Sequence, residues 1–233
     1  MKNYLIVLIF LLSSSYANSQ VLISLLLGDK LNSDGMEFGL ETGYNFASIS
    51  GMDSHKSLGS FNIGFYFDIR MDEPWYFYTG VLVKSRLGGH KLSAEDLEFL
   101  QVDLYPEAGD YSQKLNYFLV PTLIKYKMDN HIYFEAGPQF GLMHKAWVEY
   151  NSDVEGKDAR IRQYNKDMIN KFDVGVVGGL GYQLMKGKGI TLGLKYYYGF
   201  LDVYKDKSGT NNSSWFLKAN IPIGAAKKEA AAN

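Results

Sequence analysis

The carboxylates Glu37, Glu41, Asp68, Glu135 and Asp173 and the cations Arg70, Lys125, Lys127, Lys145, Lys195 and Lys218 stand between apolar neighbours in segments of alternating polarity. In an extended chain successive side chains point to opposite faces, so these groups share a face that excludes the apolar residues. Charges held away from water cost several kcal/mol unless they are paired, and their balance of sign predicts a structural ion-pair network. A proton or polar-solute path is the competing chemistry, because ionisable groups inside a membrane can mark conduction. Nucleophilic chemistry has one candidate, His55-Lys56-Ser57, in which a histidine two residues from a serine on one strand face could take its proton. No carboxylate is identifiable as an orienting partner for that histidine. His90, His131 and His144 lack the spacing of a metal-ligand set, so neither a metal nor a cofactor is expected.

The elements that must position these groups are strands. Met36, Phe38, Leu40, Tyr44 and Phe46 interleave with Glu37, Gly39, Glu41, Gly43 and Asn45, and the period of two recurs in Phe61 to Arg70 and Ile132 to Leu142. It returns in Phe172 to Leu184, Ile190 to Phe200 and Trp215 to Ile223, and less cleanly in Trp75 to Ser85 and Asn116 to Met128. Eight strands of roughly 10 to 14 residues result, long enough to cross a hydrocarbon layer when tilted. The connections alternate. Asp72 to Pro74, Met128 to Asn130 and Lys186 to Lys188 read as tight turns, whereas Ser50 to Ser57, Arg86 to Gln113, Trp147 to Asn170 and Lys205 to Ser213 read as long loops. Trp75, Tyr76, Phe77, Tyr78, Tyr126, Phe134 and Tyr182 fall beside the tight turns, and Tyr44, Phe46, Phe200 and Trp215 towards the loops, as two interfacial girdles would.

The expected fold class is therefore all-β, an eight-stranded antiparallel up-and-down transmembrane β-barrel, because in lipid only a closed sheet leaves no unpaired edge. A soluble lipid-binding barrel would turn the greasy face inward. Against it, the polar face is crowded with small residues such as Gly39, Gly64, Gly137 and Gly179, while the greasy face carries more bulk than a narrow lumen holds.

Met1 to Ser19 reads as a signal peptide: Lys2, the apolar run Tyr4 to Leu12, then Ala17 and Ser19 at the −3 and −1 positions of a cut. That run is too short to span a bilayer as a helix. Residues 20–35 are expected to be an N-terminal periplasmic segment, 36–224 the barrel and 225–233 a tail. The apolar stretch Val21 to Leu27 shows no alternation and receives no specific role. With Lys+Arg 24 against Asp+Glu 25, a net charge of −1 offers no field for nucleic acid, and zero Cys excludes disulfide scaffolds, thiolate metal sites and a lipid-modified cysteine.

The segment Tyr117-Phe118-Leu119-Val120-Pro121-Thr122-Leu123-Ile124-Lys125-Tyr126 resembles the strand motif of the PorT-like outer membrane β-barrel family of Bacteroidetes-type bacteria, with Tyr117, Pro121, Lys125 and Tyr126 at its marked positions. Gly28 to Ser33 leading into Glu37-Phe38-Gly39-Leu40, and the ending Ile221-Pro222-Ile223-Gly224, are similar too. The chain departs at Leu119, where members often carry glutamate, and in the tail Lys227 to Asn233. The resemblance implies an outer membrane barrel without a known reaction, in a family with one namesake that takes part in protein secretion. Tight turns and termini are then expected in the periplasm and long loops outside. The expected partners are outer membrane lipid, lipopolysaccharide and envelope or secretion-machinery proteins.

The expected role is non-enzymatic, envelope-structural or secretion-associated. The alternatives are a lipid-modifying enzyme, for which lipid A deacylases offer the His-x-Ser precedent, and the soluble lipid-binding barrel. Arg86 to Gln113 is rich in acid, and Ser93 to Val102 is expected to form a short helix capped by Ser93. Trp147 to Asn170 mixes both signs of charge, and either loop could bind a partner or share divalent ions with lipopolysaccharide.

Overall fold

The computed structural model describes residues 35–54, 56–154, 157–187 and 189–223. The expected signal peptide, the segment from Gln20 through Val21–Leu27 to Asp34, His55 and the C-terminal tail lie outside the described residues.

Among the described residues nine antiparallel strands form: β1 (Met36–Ile49), β2 (Lys56–Asp72), β3 (Trp75–His90), β4 (Asp110–Lys127), β5 (Ile132–Val154), β6 (Lys157–Tyr164), β7 (Phe172–Gln183), β8 (Thr191–Tyr204) and β9 (Lys207–Pro222). Eight of them make the ring β1-β2-β3-β4-β5-β7-β8-β9, closed by β9 on β1 from Gly39↔Pro222 to Ile49↔Asn212. The ring is the barrel that the alternation predicts. The ninth strand, β6, is a hairpin return that pairs only with the upper half of β5, from Trp147↔Tyr164 to Val154↔Lys157.

The loop end differs from expectation because the strands run past the apolar belt. The segment Lys205 to Ser213 is mostly strand, with β8 and β9 turning between Tyr204 and Lys207, and Trp147 to Asn170 is largely the β5–β6 hairpin. Thr210 supports the first by accepting the Tyr204 N–H while donating to Lys207 O, and such side chain to backbone bonds replace the ladder where a loop was expected. At the other end, Gln183 and Thr191 are joined through a helical turn, α2 (Leu184–Gly187), wider than the tight turn expected there.

The outward face carries the apolar residues. Tyr44, Phe61, Phe65, Val120, Ile124, Phe134, Phe140, Leu180, Leu192 and Leu217 are all exposed, as lipid-facing residues of a barrel are. The girdle aromatics Trp75, Tyr126, Phe134 and Tyr182 stand at one end, and Tyr44, Phe46, Phe200 and Trp215 at the other, all exposed. Tyr76 and Tyr78 are exceptions: both follow the lumen parity of β3, Tyr76 half-buried with Lys127 Nζ 3.8 Å from its ring centre and Tyr78 fully buried.

Large and small residues alternate across the lumen to fill it. Gly181 and Gly193 face Tyr133, and a Cβ at either would stand 2.4 or 2.3 Å from the tyrosine hydroxyl. Gly39 likewise faces Tyr66. Between neighbouring strands, a Cβ on Gly64 would meet the carbonyl oxygen of Val81 at 2.0 Å, a backbone atom that cannot move aside without breaking the β2–β3 ladder. Gly178, on the outer wall, has nothing within 4 Å. Gly64→Val is therefore expected to abolish the compact, heat-modifiable band of the detergent-extracted protein on unboiled gels, and Gly178→Val to retain it. Retention of the band by Gly64→Val would show that the strand contact is not obligatory.

Candidate functional site

The lumen holds a sequence of ion pairs. At the tight-turn end Lys125 Nζ stands 2.8 Å and Lys127 Nζ 3.0 Å from Asp68 Oδ2, while Tyr66 donates to Glu37 Oε1 at 2.7 Å. Deeper, Lys195 Nζ meets Glu41 Oε1 at 2.6 Å and Lys218 Nζ meets Glu135 Oε1 at 2.6 Å. Tyr78 donates to the second oxygen of Glu41 and accepts from Asn220 Nδ2 at 3.0 Å. Its ring also lies 4.2 Å from Lys125 Nζ and 4.3 Å from Lys218 Nζ, so one tyrosine contacts three members of the array.

Lys125, Lys195, Lys218, Glu41, Asp68 and Glu135 are buried, whereas Glu37 and Lys127 are half-buried at the mouth. Asp173 stands apart. It accepts from Asn212 Nδ2 at 2.8 Å, and Asn212 also donates to Tyr117, but no lysine or arginine pairs with it among the described residues. Two residues assigned to the interior from alternation lie elsewhere. Arg70 is exposed on the rim and pairs with Glu73 of the tight turn at 3.3 Å, because it stands near the end of β2, still in the ladder opposite Tyr76 but beyond the filled lumen. Lys145 is exposed on the outer wall: Asn116 faces Lys145 and Tyr117 faces Met143, so His144 is bulged and the parity of β5 flips above it. Of the motif residues, Tyr117 and Lys125 face the lumen, Pro121 is buried in β4, and Tyr126 packs on Trp75 at the outer girdle.

The loop end is plugged. Helix α1 (Ala94–Phe99) forms within the expected Ser93 to Val102 segment, with Ser93 Oγ accepting the Asp96 N–H at 3.2 Å. Its Leu97 and the following Leu100 join Leu87, Leu115, Ile49, Ile169 and Val203 in one buried apolar cluster. Buried Asp96 ties the first loop to this plug by accepting the Asp53 N–H. Below it Gln113, Asn165 and Tyr204 close a hydrogen-bonded layer.

Outside the lumen, Glu149 on the β5–β6 hairpin is buried by its own partners: Lys114, Arg162 Nε at 2.8 Å, Arg160 Nε at 3.8 Å and Trp147 Nε1 at 3.2 Å. Burial alone would raise its carboxyl, but the hydrogen bonds from Lys114, Arg162 and Trp147 win and hold it at about 2.

The histidine-serine dyad read from sequence cannot be placed, since His55 lies outside the described residues. A different pair was not legible there: His90 Nδ1 is 2.8 Å from Ser112 Oγ across β3 and β4. Only the 90↔112 register could have revealed it. Ser112 is 2% exposed, and Asp110 is 4.0 Å from the other ring nitrogen but 3.2 Å from Lys91, so the pair acts as a cross-strand tie rather than an accessible nucleophile. Among the described residues no group of three or more His, Cys, Asp or Glu could hold a metal ion.

With this geometry in place, the family described as Outer membrane protein beta-barrel domain matches residues 26–205. The chain belongs to that outer membrane β-barrel family. It is a multi-pass barrel of the outer membrane. Among solved structures, this barrel is similar to Ail, the attachment invasion locus protein of Yersinia pestis, solved with the heparin analogue sucrose octasulfate, at 12% identity and a TM-score of 0.43 over 82% of this chain and 99% of that one. It is also similar to Neisserial surface protein A, at 12% and 0.42 over 81% and 99%, and to OprG from Pseudomonas aeruginosa, at 9% and 0.36 over 81% and 93%. A search of curated protein sequences returns no match.

Two predictions follow from the charges. Lys195→Met leaves Glu41 buried without its cation and is expected to destabilise the barrel by roughly 3 kcal/mol, whereas Asp173→Asn removes a carboxylate that has no cation and is expected to be neutral or stabilising, both read by thermal or urea unfolding in micelles. Equal losses in the two variants would contradict the pairing scheme. For Glu149, a folded-state value below the ordinary 4.5 means that its stabilisation of the β5–β6 hairpin is fully present above about pH 4.5 and is lost as pH falls towards about 2. Hydrogen exchange of β6 should rise across that window, and Glu149→Gln should remove the pH dependence.

Proposed function

We propose that this barrel is a non-enzymatic component of the envelope, structural or associated with protein secretion, that works through its rims and outer wall. The observation carrying this reading is the filled lumen: Tyr66, Tyr78, Tyr117, Tyr133, Tyr197 and Phe216 are all fully buried within the ring, and the α1 plug covers the loop end. A barrel so filled offers substrates and solutes no chamber, which leaves partners to meet its surfaces. The PorT-like motif at Tyr117, Pro121, Lys125 and Tyr126 supports placement in that branch of the family, and with it a secretion-associated role. In this reading the tight turns and termini face the periplasm, the long loops face outward, and the partners are lipopolysaccharide and envelope or secretion-machinery proteins. Large apolar side chains stand ready at the loop end: Leu104 is 71% and Tyr164 68% exposed.

Photocrosslinkers placed at Leu104, Tyr164 and the rim residue Met71 in living cells test the reading. Defined crosslinks to envelope proteins, with an unchanged lipid A mass spectrum on deletion of the protein, are expected. A changed lipid A mass without crosslinked partners would instead make it a lipid-modifying enzyme.

A further inference from the structure

The outer wall at the loop end is not uniform around the barrel. On β7, β8, β9 and β1 the exposed residues at the top of the apolar belt are Phe172, Phe200, Trp215 and Phe46. On β4 and β5 the belt ends at Phe118 and Leu142, which face each other, and above them the wall turns cationic around Trp147 and its neighbour Tyr164 of β6. Lys145 pairs in register with Asn116, Lys114 with Trp147, and Arg162 with Glu149, so these side chains share the outward face in successive rows. Arg86 reaches the same place from β3, donating to Asn116 Oδ1 at 3.0 Å with its guanidinium 5.2 Å from the Trp147 ring centre, and Arg162 lies 5.5 Å from that ring.

The charges do not cancel. Glu149 is shared by Lys114, Arg160 and Arg162, while Arg86 and Lys145 have no carboxylate partner among the described residues. Two arginines against one indole form a rigid, planar-donor surface, the arrangement that binds phosphate in a bidentate way. The height fits as well. From the girdle residue Tyr126 to Phe118 is eight residues, about 20 Å of membrane depth for a tilted strand, so the next outward positions, Asn116 and Lys114, sit where a hydrocarbon belt of about 25 Å gives way to headgroups.

We propose that Arg86, Lys114, Lys145, Arg160 and Arg162 around Trp147 bind the phosphates of an acylated outer-leaflet glycolipid, the lipid A headgroup of lipopolysaccharide, with its acyl chains lying along Phe118 and Leu142. The assignment rests on the outward orientation of the long loops given above. Cationic groups at this height neutralise phosphates that would otherwise repel one another or need divalent ions, and the flanking lipid-facing wall selects the acylated form over a free anion.

The test uses the full mature protein in phosphatidylcholine nanodiscs, titrated with bisphosphorylated lipid A. Arg86→Gln/Lys145→Gln removes the two cations that form no ion pair with Glu149 and leaves its Lys114, Arg160 and Arg162 pairs in place, and the heat-dependent gel shift checks the fold. Binding is expected to weaken by about tenfold or more in the double variant, and by a similar factor when native protein meets lipid A stripped of both phosphates. Unchanged affinity in either arm would overturn the site. Equal binding of phosphatidylglycerol, or of the phosphorylated saccharide without acyl chains, would overturn the glycolipid assignment in favour of a general anion surface. Leu104→Cys labelled from outside intact cells reads the orientation separately: absence of labelling refutes the orientation and this assignment together, whereas labelling with unchanged affinity refutes this assignment alone.

Discussion

A strand in hydrocarbon has nowhere to put its N–H and C=O groups except on another strand, and each group left unpaired costs several kcal/mol. Eight strands meet that demand here only by bringing β9 back onto β1 and running β5 between β4 and β7. The sheet's closed circumference then fixes how much room is left inside, and eight strands leave enough only for side chains. The inward groups are consequently chosen for fit and for mutual neutralisation. Glycines face tyrosines, as Gly181 and Gly193 face Tyr133, and each deep lysine has a carboxylate within hydrogen-bonding reach.

Such pairs are weak evidence for stability in themselves, since well-packed apolar residues can replace them without loss. Their arrangement does more for uniqueness. Tyr78 touches Glu41 through its hydroxyl and both Lys125 and Lys218 through its ring, so a shift of β3 by one residue would unpair several charges at once. Asp173 falls outside this logic. A buried carboxylate bonded to Asn212 and flanked by Tyr117 and Tyr197, with no cation paired to it among the described residues, is less neutralised than Glu41, Asp68 and Glu135.

The strands were legible because lipid and lumen impose opposite demands on alternate residues, and Phe61 to Arg70 displays both in a single pass. Legibility ended where one of those demands stopped. Above the belt neither face meets lipid, so polar strands such as β6 and the start of β9 carry no contrast and read as loops. Below it, Arg70 keeps the lumen parity but stands on the exposed rim, next to Glu73. Lys145 was misassigned by a different cause, the bulge at His144, which shifts parity without leaving a mark in composition. Tyr78 looked like a girdle aromatic because Trp75 to Tyr78 is aromatic on both faces. The α1 helix was visible through its Ser93 cap, but not its descent into the barrel, and the His90–Ser112 tie and the cations gathered at Trp147 depend on registers between strands distant in sequence.

The proposed surface role rests on a lumen filled by its own side chains and covered at the loop end by α1. Current through a planar lipid bilayer containing the purified, folded protein tests that claim most directly. A sealed lumen predicts a trace indistinguishable from lipid alone across applied voltages. Reproducible stepwise ion currents, abolished by boiling the sample, would contradict it and would make the charged lumen a conduction path.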